Sequence, residues 1–349
     1  MNTTWLAVLV FICVGVGLWL ASLLLEALRR APEAPKCLSW APDIAINYLT
    51  VNGNRLRYIR TGRGPTVVLL HTLRTQLDLF EKIVPDLARD FTVYALDYPG
   101  HGYSDIPKAR YEADFFVHTV EGFLDALDLQ AATLCGVSIG GAISLIIAGR
   151  GNSRVTRVIA VNPYDYAKGR GMARSSPLGW MIVATAQIPI VGETVMRLRN
   201  FIIMKAVLQG GVANPASIPQ NLLREMYEVG NRHGHYRAFV SLLRNSASWE
   251  AATAVYRNIR VPVRLIWGDQ DWAGVGEREH DRSLIPGAEM VTVSNGGHFL
   301  PLDQPAKLRE LVAQAACQLN LEDPATVHRL EEVWYSKDWG AQKKGSDNE

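Results

Sequence analysis

The chain has 349 residues, 48% of them hydrophobic and 20% charged, with 29 Gly, 17 Pro and a formal net charge of +2. That balance excludes a disordered or fibrous protein and allows one large α/β domain or two ordinary ones. The near-neutral charge, with no long basic run, argues against a nucleic-acid partner. Cys13, Cys37, Cys135 and Cys317 are widely scattered and form no CxxC or Cys/His cluster. Neither a zinc site nor a disulfide framework is expected; free thiols in a reducing compartment fit better.

Trp5 to Leu25 is a 21-residue run without a charge. At a rise of about 1.5 Å per residue a helix of that length reaches about 30 Å, the thickness of a bilayer's hydrocarbon layer. A cleaved signal peptide is the competing reading. The basic-free Met1–Thr4 start, the length of the run and the lack of an A-x-A site favour a retained anchor over residues 1–30. Arg29, Arg30 and Lys36 follow it, so the positive-inside rule puts the C-terminal body in the cytoplasm. Ala31–Asp43 is Pro-rich and is expected to be a semi-rigid spacer within a linker over 31–44.

Beyond it, short β-rich runs alternate with helical patterns. Asn47–Val51 and Arg55–Thr61 flank Asn52-Gly53-Asn54, a hairpin signal. Thr66–Leu70, Phe91–Leu96, Ala131–Val137, Val155–Val161, Val263–Trp267 and Glu289–Val293 read as further strands. Helices are expected at Leu77–Leu87, Asp114–Leu127, Ile139–Ala148 and Pro305–Leu319. This alternation implies a mostly parallel sheet with helices on both faces. Between Tyr166 and Asn258 about ninety residues lack a buried-strand pattern, far more than an ordinary connection. They are expected to form an inserted helical cap (166–258) on a core spanning 45–165 and 259–320. A C-terminal helix and polar tail would occupy 321–349.

Chemistry concentrates at a few turns. Gly136-Val137-Ser138-Ile139-Gly140 satisfies G-x-S-x-G, with an apolar strand leading in and a helix pattern leading out. Such a strand–turn–helix elbow holds its serine in a strained conformation, and the flanking glycines remove Cβ atoms that would clash. A serine hydroxyl needs an imidazole to take its proton. Of eight histidines, His298 fits best, in a flexible loop after the last strand. His101 reads as structural, His71 as shaping a loop, and His233 and His235 as solvated cap residues. A carboxylate must then orient the imidazole. Asp271, just past a strand's C-terminal end, is a candidate, with Asp269 the near alternative and Asp165 the more distant one. Cys135 reads as a buried strand residue.

With these motifs in order, the sequence resembles the α/β-hydrolases, specifically their lidded esterase and lipase group, over about residues 45–320. His71-Thr72-Leu73-Arg74, Asp97-x-x-Gly100-x-Gly102-x-Ser104, the elbow, Trp267–Asp271 and Gly296-Gly297-His298 carry the resemblance. It implies an eight-stranded, mostly parallel sheet with a helical cap, and a triad of Ser138, Asp271 and His298. It also implies an oxyanion hole from the Ile139 and Leu73 amides, and no metal or organic cofactor. Thr72 departs from the family's usual glycine, which puts the loop shape and Leu73 in question. Arg74 is expected to be solvated or paired with an acid, with recognition of an anionic group the sharper reading. The activity implied is hydrolysis of lipophilic carboxylic esters at a membrane. Acyl transfer, carbon–carbon bond hydrolysis and ligand binding without turnover remain alternatives. Dehalogenases and epoxide hydrolases of this fold carry Asp where this chain has Ser138.

Overall fold

The computed structural model describes residues 3–317; the proposed tail and the end of the last helix lie outside them. The chain opens with α1 (Thr3–Leu28), 26 residues long and exposed along nearly all of its length. Strands β1 (Ile46–Val51) and β2 (Asn54–Thr61) form the hairpin around Asn52-Gly53, both at positive φ. Then come β3 (Thr66–Leu70), α2 (Val84–Leu87), β4 (Thr92–Leu96), α3 (Ala113–Ala126), β5 (Ala132–Val137), α4 (Ile139–Gly149) and β6 (Val155–Val161). The helices α5 (Pro177–Ala186), α6 (Val191–Arg197), α7 (Phe201–Gln209), α8 (Gln220–Val229), α9 (His235–Arg244) and α10 (Ala247–Ala252) follow. The chain returns through β7 (Val263–Gly268), α11 (Val275–Leu284), β8 (Glu289–Val293), α12 (Leu300–Asp303) and α13 (Pro305–Cys317).

The eight strands form one sheet in the order β1-β2-β4-β3-β5-β6-β7-β8. Only β2 runs against its neighbours; every pairing from β4 to β8 is parallel. A parallel strand must bury both faces, and β3 shows how its continuous apolar run does so. Val68 and Leu70 enter the core beneath α3 and α4, while Val67 and Leu69 enter the core on the opposite face with α2 and α13.

Two segments depart from expectation. The anticipated helix Leu77–Leu87 is instead a 3₁₀ turn at Leu77–Phe80 and the single turn α2. Pro85 lacks the N–H that a continuous helix would require. The spacer after α1 is not free of the body: Leu38 is fully buried in the α13-side core, and the Trp40 indole donates to Asp78 Oδ1 at 2.8 Å.

Asp97, which opens the glycine-rich loop, is structural. Buried Arg57 donates to Asp97 and Asp78 at 2.6 Å each. Burial alone would weaken the proton's hold on this guanidinium, but the two carboxylates overcome that and raise its pKa. Asp97 also accepts from the Leu77 and Tyr103 amides, tying two loops to the end of β4.

Candidate active site

Ser138 caps the turn between β5 and α4 with φ 59° and ψ −118°, a region disfavoured for any residue with a Cβ. The elbow is tight enough that a Cβ on Gly136 would sit 2.0 Å from the Gly140 carbonyl oxygen, and one on Gly140 2.2 Å from that of Leu70. Only glycine fits either position. The Ser138 amide donates to Val161 at the end of β6, holding the strained turn in place.

The structure brings Ser138, His298 and Asp271 into one hydrogen-bonded line. His298 Nε2 lies 2.8 Å from Ser138 Oγ, and Nδ1 lies 2.5 Å from Asp271 Oδ1. In the neutral imidazole the Nδ1–H donates to the carboxylate, and Nε2 accepts from the serine hydroxyl. The second Asp271 oxygen accepts from the Ala273 amide at 2.8 Å. The other two acids are engaged elsewhere: Asp269 accepts from Gly296 N–H, and Asp165 from the Tyr256 hydroxyl at 2.5 Å.

Two neighbours of this line were not legible from the sequence. Asn162, directly after β6, donates to the carbonyls of Gly297 and His298 at 3.0 Å and accepts from the Gly268 amide at 2.8 Å. One buried side chain thus joins the ends of β6 and β7 to the histidine loop. Trp272 stacks on His298 with centroids 3.8 Å apart and planes 13° from parallel, its indole anchored to the Gly210 carbonyl. The signal available was position: each is a polar or aromatic residue at a strand's C-terminal end, where sites gather in α/β sheets.

The loop after β3 supplies the facing wall. The Thr72 carbonyl accepts from His71 Nδ1–H at 2.7 Å and from the Thr75 hydroxyl and amide at 2.9 and 3.3 Å. Because a trans peptide points its C=O and the following N–H in opposite directions, the Leu73 N–H faces away from that turn. The Ile139 N–H opens α4 and has no intrahelical acceptor. Thr72 needs no left-handed backbone, so the loop accommodates its Cβ; its hydroxyl is buried without a partner.

His71 also accepts from the Tyr98 amide through Nε2, and burial holds its pKa at about 3. His101 is held at about 3 by the same cause. Both are neutral and structural. His233 is exposed, but His235 is buried, correcting the expectation that it is solvated. Its ring meets Arg74 Nη1 at 3.2 Å. Arg74 itself is neither freely solvated nor paired with an acid among the described residues: it lies over the Phe239 ring and lines a pocket. Burial, then the nearby Arg199 and Arg29 cations, bring its pKa down to about 9. Cys135 is buried in β5 as expected, its thiol pushed up to about 12 by burial.

That pocket is bounded by Thr72 and Leu73 on one side and by Trp272 and Phe299, the two rings against His298, on another. Its remaining wall is mostly apolar, from α5, α6 and α7, including Leu178, Ile182, Met196 and Met204. Among the described residues no group of three His, Cys, Asp or Glu side chains could hold a metal ion.

A family model described as alpha/beta hydrolase fold matches residues 65–186. An uncharacterised protein of Mycobacterium tuberculosis is 27% identical over 76% of this chain and 80% of its own length. A haloalkane dehalogenase of Psychrobacter cryohalolentis is 29% identical (74% and 86%), and the human monoacylglycerol lipase ABHD6 is 22% identical (72% and 75%). Among solved structures, Cfl2 of Burkholderia cenocepacia superposes with a TM-score of 0.69 at 22% identity, covering 81% of this chain and 99% of that one. A membrane phospholipase A superposes at 0.66 and 22%, covering 91% and 98%. The chain is an α/β-hydrolase-fold protein. Its relatives include enzymes of several reaction types, an epoxide hydrolase, a dehalogenase and a lipase among them.

Proposed function

We propose that the chain is a serine hydrolase that cleaves lipophilic carboxylic esters through an acyl-serine intermediate. The observation that carries this reading is the continuous Ser138–His298–Asp271 hydrogen-bonded line, beside a largely apolar pocket whose lining includes Trp272 and Phe299, the rings against His298. Ser138 Oγ attacks the ester carbonyl while His298 Nε2 takes its proton, and Asp271 holds the ring and stabilises its cationic form. The negative charge on the carbonyl oxygen is met by the Ile139 and Leu73 N–H groups. His298 then returns the proton to the departing alkoxide, releasing an alcohol. Water, deprotonated by the same imidazole, cleaves the acyl-serine to the acid and restores the serine.

A serine nucleophile favours this chemistry over that of the dehalogenase and epoxide hydrolase relatives, whose fold-mates use an aspartate at the elbow. Acyl transfer and carbon–carbon bond hydrolysis use the same triad and differ only in acceptor or substrate. The unpartnered Thr72 hydroxyl, in place of the usual glycine, is the feature that favours a binding protein without turnover. In this reading α5 to α10 are a cap (166–258) over the 45–165 and 259–320 core. The α1 helix, long and apolar enough to cross a membrane, is a retained single-pass anchor with the body on the cytoplasmic side.

A panel of acyl esters graded by chain length, run on the detergent-solubilised full chain with Ser138→Ala as control, tests the reading. Turnover rising toward long acyl chains and absent in the variant is expected. Activity confined to acetyl esters contradicts a lipophilic substrate; equal turnover by the variant contradicts the mechanism.

A further inference from the structure

Outside α1, the large apolar side chains that stand exposed are concentrated in one place. Trp180 and Met181 lie on α5, Ile188 and Ile190 in the turn into α6, Val191 at the start of α6, and Ile202 on α7. Among the described residues Val275 is the one exception. Such clustering, unlike singly scattered apolar residues, marks an interaction surface. Ile190 is 63% exposed with φ 69°, a strained backbone for a β-branched residue, and Ile202 is 78% exposed.

The same helices hold α1. It packs on α6, and Ser22, inside its apolar run, is its one fully buried residue. Glu26 pairs with Arg199 at 2.7 Å. Arg29 donates to the Arg197 and Arg199 carbonyls at 2.9 and 2.7 Å and to Asn231 at 2.6 Å. Whatever surrounds the C-terminal part of α1 therefore also meets the apolar surface beside it. The helices are two-sided as well: Leu178 and Ile182 on α5 and Ile203 on α7 line the pocket, and Met181 is both pocket wall and exposed surface.

Resting on the reading of α1 as a membrane anchor, we propose that α5, the α5–α6 turn and α7 form a second bilayer contact. Their exposed side chains enter the lipid interface beside α1, and the pocket opens at Met181 toward lipid instead of water. A continuous apolar route then leads from the bilayer to Ser138, and an ester dissolved in the membrane reaches the site without crossing water. The occupant is the bilayer itself, because the surface is continuous with the helix that spans it.

Site-specific quenching on the full chain in phosphatidylcholine vesicles tests this, with Cys13, Cys37 and Cys317 replaced by Ser. An environment-sensitive fluorophore is placed in turn through Ile190→Cys, Ile202→Cys, Val275→Cys and Phe11→Cys. Doxyl-labelled lipid should quench the probes at 190, 202 and 11, and aqueous iodide the probe at 275. Iodide quenching at 190 and 202 with lipid quenching at 11 overturns the second contact and leaves the anchor standing. Loss of lipid quenching at 11 removes the anchor itself and the proposal with it. Shielding of 190 and 202 from both quenchers, growing with protein density, assigns the surface to a second copy and overturns the proposal. Independently, the double variant Ile190→Asp/Ile202→Asp should turn over a vesicle-embedded ester roughly tenfold more slowly while hydrolysing a water-soluble short-chain ester at the wild-type rate. Equal rates in vesicles contradict it.

Discussion

Two buried carboxylates stand beyond neighbouring strand ends, Asp271 after β7 and Asp165 after β6, and their surroundings give them opposite roles. Asp271 is in contact with an imidazole whose far nitrogen reaches a serine hydroxyl, so its charge can orient that ring and stabilise it once it holds the serine proton. Asp165 faces the Tyr256 hydroxyl and the buried Asp281. Burial raises Asp165, and burial together with the Asp165 charge pushes Asp281 up to about 10, so that at neutral pH the pair retains a proton. Residue type and strand-end position are shared. The partner decides: a base next to a nucleophile gives the carboxylate a ring to orient, whereas a second acid gives it a proton to share.

Four substitutions sharpen that contrast. Asp271→Asn should lower kcat by about 10⁴-fold while leaving the fold intact, because the imidazole loses the acceptor that fixes its tautomer; steady-state ester hydrolysis measures this. Asn162→Ala should lower kcat by about 10²-fold with KM little changed, since the histidine loop loses its ties to β6 and β7 and a small misplacement of the ring is costly. Trp272→Leu should lower kcat/KM by about fivefold, through loss of the aromatic face against the imidazolium formed in the reaction.

Asp281→Asn should leave turnover unchanged and raise stability. The folded-state pKa lies above the unfolded value, so folding takes up a proton, and the cost grows as pH rises from about 4 toward about 10. Removing the acid should therefore stabilise the fold, by more at pH 8 than at pH 4. Thermal unfolding at the two pH values checks the sign.

Where the chemistry of a stretch was dictated locally, the sequence could be read closely. Thr66–Leu70, Val155–Val161 and Glu289–Val293 begin and end where expected, because turn residues bound short apolar runs. The three residues now found in one hydrogen-bonded line were legible through motif order along a known fold. What escaped depended on distant partners. Trp272 and Asn162 acquire their positions only when the β7 and histidine loops meet. His235 and Arg74 have polar local sequence and are covered only once α9 packs over the loop after β3. Leu38 in the spacer is buried in a core that the sheet and the later helices, α13 among them, build beyond it in the chain. The Leu77–Leu87 pattern had helical periodicity, yet Pro85 overrode it.

The central claim is that Ser138 is an activated nucleophile. Reaction of the full chain with a fluorophosphonate, followed by mass analysis, tests it most directly. One adduct on Ser138 in the wild type is expected, with none in Ser138→Ala and strongly slowed labelling in His298→Ala. Folded wild-type protein that takes up no phosphonate, or carries it on a residue other than Ser138, would contradict the account.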